Sequence, residues 1–245
     1  MTNKENSKNS SGLSTGALSA ATISLIVFSL GFLPVVIFGK IVLIFINFSE
    51  LWHFLLLPFL IYIGIGATIC YQLIISGSII HIFKIRYKPG IYEYNLNNKT
   101  SFRWILICAL YTPMRKMLEI FPLGKTKTMY YKMLGMKIGE NTLVGGTIMD
   151  PCLTEIGDNC TMGLYAVIYG HIHDYERGTL LLDKIIIGDN CVIGAGAYIM
   201  PGAVLEDNVK LAAGAVVRKG QVLKKGKIYA GIPAKEIEKK KKKNK

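Results

Sequence analysis

The stretch IGDNCVIGAGAYIMPGAVLEDNVKLAAGAVV, residues 187–217, repeats every six residues. Ile187, Ile193, Ile199, Leu205, Leu211 and Val217 share one register. Upstream the same spacing runs through Ile138, Val144, Ile156, Met162 and Ile168, and Asp150 holds the one slot that is not apolar. Gly follows the register residue at 139, 145, 157, 163, 188 and 194. Six is the period of neither a helix nor an alternating strand. It suits a chain that makes a short strand, turns a corner and repeats, three sides closing a coil of eighteen residues. The register residue points inward, and stacked coils bury a continuous aliphatic column. Gly at a corner allows backbone conformations that a side chain hinders. The predicted fold is mainly β. It is a left-handed parallel β-helix of about four coils over residues 136–237, an exception to the right-handed rule for parallel crossovers.

The segments IGENTLVGG (138–146), IGDNCTMGLYAVI (156–168), the stretch above and the tail YAGIPAKEI (229–237) resemble the hexapeptide-repeat acyltransferases. That family includes galactoside, maltose and xenobiotic acetyltransferases. The resemblance covers roughly residues 133–237. Upstream, KPGIYEYN (88–95) and MYYKMLGMKIG (129–139) resemble, more loosely, a membrane-linked subgroup that includes the C-terminal domains of poly-lysine-type synthetases. The resemblance implies a CoA-dependent O- or N-acyltransferase, acetyl-CoA as co-substrate, no metal, and a homotrimer with active sites between neighbouring prisms.

The chain is 51% hydrophobic, and its apolar residues crowd into the first 120 positions. Residues 1–15 are polar and read as a disordered tail. Residues 17–39 carry no charge and are long enough to span a bilayer as helix. Lys40 and Glu50 bracket a further apolar piece, 41–48, which extends that helix or lies at the interface. Residues 51–83 lack Asp, Glu, Lys and Arg and form a second span with room to tilt. Trp52, His53, Tyr62, Tyr71 and His81 read as interfacial or bundle contacts. Residues 16–88 are thus an expected transmembrane hairpin. Lys84, Arg86 and Lys88 follow it directly, which places both termini in the cytoplasm. The expected location is the cell membrane, multi-pass, with the β-helix on the cytoplasmic side.

Residues 89–135 read as an amphipathic helical linker. Within it, 101–121 interleaves Trp104, Leu106, Leu110, Met114, Met117 and Leu118 with Arg103, Arg115 and Lys116. This helix lies on the membrane, braces the β-helix or spans, with Pro113 set to kink it. Net charge is +13, much of it in Lys224, Lys225, Lys227, Lys235 and a polybasic tail, 238–245. Beside two spans, such a tail suits an anionic lipid surface better than nucleic acid. The cysteines are Cys70, Cys108, Cys152, Cys160 and Cys191, an odd set with no CxxC spacing, so neither disulfide nor metal site is expected. Cys160 and Cys191 share one hexad position and read as small core residues.

From Ile168 to Ile187 is nineteen residues, one more than a coil. This excursion contains His171 and His173, the histidines of the soluble part. Acyl transfer from a thioester needs a base for the attacking hydroxyl or amine, and neutral imidazole suits that at neutral pH. The oxyanion needs N–H donors. In the resembled family the base is a His in a "GH" context, which YGHIHD assigns to His171, with His173 competing. Asp150, expected one coil before Ile168, either orients that imidazole or bonds its own turn beside Pro151. By resemblance, Ala195 and Ala213 line the pantetheine groove, and Arg218, Lys219 and Lys235 meet the CoA phosphates. Two other readings stay open. A zinc enzyme on the same solenoid needs three ligands, and two histidines serve it poorly. A membrane-tethered scaffold keeps the fold without catalysis. The expected acceptor is a polyprenol-linked sugar, a surface polysaccharide precursor, a lipid head group or an amine.

Overall fold

The computed structural model describes residues 15–47, 49–120 and 125–237. The expected tails, 238–245 and all of 1–15 except Thr15, lie outside the described residues.

Three parallel sheets form the sides of a prism. Side one stacks Lys137–Ile138, Thr154–Ile156, Ile185–Ile187, Val204–Leu205 and Val222–Leu223. Side two stacks Leu143–Val144, Thr161–Met162, Val192–Ile193, Lys210–Leu211 and Ile228–Ala230. Side three stacks Thr147–Ile148, Val167–Ile168, Tyr198–Ile199 and Val216–Val217. Lys235–Ile237 turns back antiparallel onto Ile228–Ala230 and ends side two. The register residues are buried as a continuous aliphatic column, with Cys160 and Cys191 also in the core.

The corners explain the hexad. Between sides one and two, Asn141, Asn159, Asn190 and Asn208 take φ of 53°, 54°, 56° and 60°. Asn tolerates this left-handed conformation better than other side chains do. Asp158, Asp189 and Asp207 at the same corner accept backbone N–H bonds of 2.7–3.1 Å from the coil before, at Glu140, Asp158 and Asp189. Between sides two and three the left-handed site is Gly196 and Gly214, both at φ 66°, but in the second coil it is Tyr165, at 61°.

The first coil departs from the hexad. Its second corner has only Gly145 and Gly146, where the second coil has the four residues 163–166. Side three therefore begins two residues early, and Ile148 pairs with Ile168. Asp150 is not on the inward register, as the spacing suggested. It follows the strand and opens the 3₁₀ turn Pro151–Leu153.

Among the described residues, five helices precede the prism. They are α1 (Thr15–Gly31), α2 (Leu33–Phe45), α3 (Leu51–Ile82), α4 (Lys99–Ile120) and α5 (Lys125–Met133). Among the described residues, Gly16–Phe45 and Leu51–Ile82 are long and apolar enough to cross a membrane. The break between α1 and α2 has a local cause. Phe32 N–H bonds Ser29 O rather than Phe28 O, and Pro34 supplies no N–H to the next turn. The freed Phe28 carbonyl is taken by Gln72 Nε2 at 2.9 Å. His53 closes the turn between the two apolar segments, bonding Asn47 O through Nδ1 at 2.8 Å.

The helix α4 packs on α1 and α3 and buries Trp104, Ile107, Leu110, Tyr111, Met114 and Leu118. Tyr111 Oη donates to the carbonyl of Ile148, so α4 braces the first coil. The region 89–135 is not helix throughout. Gly90–Glu93 is a strand, paired antiparallel with Thr179–Leu182, which pairs in turn with His171–Asp174. The excursion from the prism supplies two strands of this three-stranded sheet, and Gly90–Glu93 supplies the third. Four residues reading GIYE carry no alternation long enough to announce a strand.

Two glycines separate steric from conformational demand. A Cβ on Gly194 would lie 2.3 Å from Ala213 N, whereas one on Gly196 meets nothing but sits at φ 66°. Gly196→Ala is expected to cost about 1 kcal/mol. Gly194→Ala, which forces two coils apart, should cost about 3 kcal/mol or more. Denaturant titration of both variants checks the order, and equal losses would contradict the stacking.

Candidate active site

The carboxylate of Asp150 has no exposed surface, so every lone pair it keeps needs a donor. Four are supplied. Tyr87 Oη donates to Oδ1 at 2.8 Å and Trp104 Nε1 to the same oxygen at 3.1 Å. Gly170 N–H donates to Oδ2 at 2.8 Å, and His171 Nδ1 lies 2.6 Å from it. Gly170 is required for this approach, because a Cβ there would lie 2.8 Å from Asp150 Cβ. The donors come from four places: the residues after α3, the middle of α4, the corner after the second coil, and the first residue of the excursion.

A carboxylate at Nδ1 fixes the imidazole as the tautomer with its proton on Nδ1, leaving the Nε2 lone pair outward. The His171 side chain is 12% exposed. Tyr87, buried beside the Asp150 charge, has its phenol pushed well above the usual range, mostly by burial, so it remains a donor. His173 lies on the same face of the strand without such a partner. Its Nδ1 is buried and unbonded among the described residues. Burial first, and His171 second, hold its pKa below the ordinary histidine value. The Trp104 ring makes T-shaped contacts with both imidazoles, ring centroids 5.0 Å apart in each.

Asp150 and His171, proposed from sequence, are therefore brought together. The five residues expected to hold CoA are not gathered in one place within the chain. Ala195 and Ala213 stack, exposed, at the corner between sides two and three, where Gly214 N–H bonds Ala195 O at 2.9 Å. Arg218 and Lys219 are exposed at the corner between sides three and one, on the column that carries the excursion. Lys235 lies on the terminal strand of side two. Tyr87 and Trp104 are site residues that sequence reasoning does not single out. Their signal is the polar end of each ring, which needs a partner once the ring is buried. Among the described residues, no group of three or more His, Cys, Asp or Glu is placed to hold a metal ion.

Residues 184–219 match the family model described as bacterial transferase hexapeptide (six repeats). The Bacillus subtilis (strain 168) protein YvoF, whose name proposes an acetyltransferase, is 32% identical over 105 residues, 40% of this chain. The match spans 54% of that relative's length. A maltose O-acetyltransferase from Clostridium difficile 630 is 25% identical over 53% of this chain and 86% of its own, with a TM-score of 0.41. A galactoside acetyltransferase in complex with coenzyme A is 21% identical over 50% of this chain and 77% of its own, with a TM-score of 0.38. Residues 184–219 thus carry the hexapeptide repeat described for bacterial transferases, and that repeat implies a left-handed β-helix.

Proposed function

We propose that the chain is a membrane-anchored acyltransferase that moves an acyl group, acetyl by preference, from CoA to a hydroxyl or amine. The observation that carries this reading is the 2.6 Å contact between Asp150 and His171 Nδ1. His171 Nε2 takes the proton of the attacking oxygen or nitrogen as the new bond to the thioester carbonyl forms. The C–S bond then breaks, and the CoA thiolate leaves with the proton that His171 held. Asp150 orients the ring and balances its transient positive charge. Tyr87 and Trp104 hold Asp150. No protein nucleophile is needed, because the thioester is already activated.

The CoA thioester would run along the later coils, between the prisms of a homotrimer. Small Ala195 and Ala213 allow the pantetheine arm to approach. Arg218, Lys219 and Lys235 suit its phosphates. Gly16–Phe45 and Leu51–Ile82 would cross the membrane, with the prism in the cytoplasm.

His171→Ala is expected to keep the fold and CoA affinity while lowering transfer by about 10²–10⁴-fold. His173→Ala should cost far less. Tyr87→Phe and Trp104→Phe each remove one donor to a buried charge, so kcat should fall about tenfold with KM for acetyl-CoA unchanged. Steady-state kinetics on purified protein checks all four. Near-native turnover in His171→Ala, with His173→Ala inactive, moves the base by two residues. Full activity in both removes histidine base catalysis at this loop.

Native mass spectrometry in detergent should give a trimer, and monomer alone would refute the shared site. Single cysteines placed near positions 10 and 240 should resist labelling from outside intact cells. Labelling of either would overturn the topology.

A further inference from the structure

Two cavities have the last turns of α4 as a common wall, and their chemistry is opposite. One is a cleft of about 720 Å³ between α4 and side three, lined in part by Arg115, Lys116, Glu119, Lys127, Tyr165 and Tyr169. The other is a groove of about 630 Å³ between α2 and α3, lined by Phe32, Val42, Leu57, Ile61, Ile69 and others, with Met117 of α4 also in its wall. The groove presents almost only hydrocarbon. From Leu57 to Ile69 it runs along twelve residues of helix, about 18 Å. Beyond Ile69, α3 is buried at Leu73, Ser76, Gly77 and Ile80. Among the partners of this buried end are Tyr130 and Met133 of α5, near Gly77. The groove therefore ends at the level where the apolar hairpin meets the rest of the protein. There the neighbours of Met117 in sequence, Arg115 and Lys116, enter the cleft.

The cleft is built for an anion. The Arg115 side chain is 12% exposed, and its Nε is buried with no hydrogen-bond partner among the described residues. Among the described residues, its Nη1 reaches Met149 Sδ at 3.2 Å and, at 3.9 Å, Glu119. A guanidinium whose carboxylate neighbour stands 3.9 Å away, and which makes no shorter ion pair among the described residues, keeps charge and donors for a phosphate. Lys116 bonds Glu119 at 3.0 Å, and Lys127 Nζ bonds Gly146 O at 2.7 Å. One carboxylate among three cations leaves the cleft positive.

Tyr165 is the second sign. It stands 81% exposed at φ 61°, where the next two coils use Gly196 and Gly214. A bulky residue in that conformation is a strained outlier, and such strain persists at ligand sites. Tyr169, in the same cleft, lies 5.9 Å from the His171 ring.

We propose that the acceptor is a membrane lipid with one apolar chain and a phosphate at its head, the single chain filling the groove of about 630 Å³ between α2 and α3 and the phosphate lying at Arg115 and Lys116. The group beyond the phosphate passes Tyr165 and Tyr169 and presents its hydroxyl or amine to His171. This rests on the acyltransferase reading, but lipid binding can be measured without turnover.

The full chain, purified in a neutral maltoside detergent, is titrated calorimetrically with farnesyl phosphate, farnesol, inorganic phosphate and dioleoyl phosphatidylglycerol. Farnesyl phosphate should bind at least tenfold more tightly than each of the others. Arg115→Gln and Lys116→Gln should each weaken it about tenfold. Gly39 lines the groove, and a Cβ there meets nothing within 4 Å, so Gly39→Leu starts a side chain in open space at the groove wall. It should weaken farnesyl phosphate and leave transfer to soluble acceptors unchanged. Gly39→Leu and Lys116→Gln keep the test decisive if Arg115→Gln does not fold. Equal binding of farnesol, equal binding of phosphatidylglycerol, or no effect of Gly39→Leu and Lys116→Gln overturns the proposal. In parallel, acetyl transfer to a panel of soluble hydroxyls and amines is read. His171-dependent transfer without farnesyl phosphate binding sinks the lipid acceptor and leaves the transferase standing. Farnesyl phosphate binding without transfer to any acceptor, a lipid-linked sugar phosphate included, sinks the transferase reading and with it the acceptor role.

Discussion

A charged carboxylate without exposed surface is tolerated only when its charge is answered by hydrogen bonds. Asp150 is such a group, and the parts of the protein that answer it come from far apart in sequence. Tyr87 follows α3, Trp104 lies in α4, Gly170 and His171 leave the second coil. Removing any one partner leaves a buried polar group unpaired, which is more costly than the bond itself is stabilising. The carboxylate therefore ties the apolar helices, the first coil and the excursion into one arrangement. A change in how α4 sits on the prism would be felt first at Asp150, and through it at the His171 ring.

The same contact explains why the first coil abandons the hexad. A full second corner would have carried position 150 onto the inward register, where an aliphatic column leaves a carboxylate no donors. Shortening that corner to Gly145–Gly146 brings Ile148 into the column instead, and its carbonyl receives Tyr111. Asp150 is then free to sit at the rim, between α4 and Gly170. The prism thus begins with an irregular coil because that coil is where the helices attach.

The irregular coil also sets what is legible in the residues alone. The period of six, the inward register from Ile187 to Val217 and the excursion after Ile168 are local patterns, and the prism follows from them directly. The pairing of His171 with Asp150 is within reach of the spacing, since both lie near the end of one side of successive coils. The two-residue slip is not, because a short corner reads in sequence as a single polar residue in an apolar slot. Tyr87 and Trp104 are hidden for a different reason. Their contact depends on how α4 docks, a tertiary fact that no spacing encodes. The strand Gly90–Glu93 is hidden likewise, being made a strand by its partner Thr179–Leu182 rather than by its own residues.

His171 and His173 show how little geometry separates a candidate base from a bystander. They lie two residues apart on one strand, on one face, each with its ring 5.0 Å from the same indole. Alternation gives them the same side of the sheet and nothing more. What differs is reach. His171 stands next to the corner and touches Asp150, whereas His173 is one pleat further out and has a buried Nδ1 without a partner among the described residues. Burial and the neighbouring ring both disfavour a charge on His173. A proton taken up by this pair is therefore better placed beside the carboxylate than one pleat away from it. On the proposed acyltransferase reading, an acceptor approaching the strand would meet two imidazoles, and only the one at His171 has the carboxylate of Asp150, itself held by Tyr87 and Trp104, beside it.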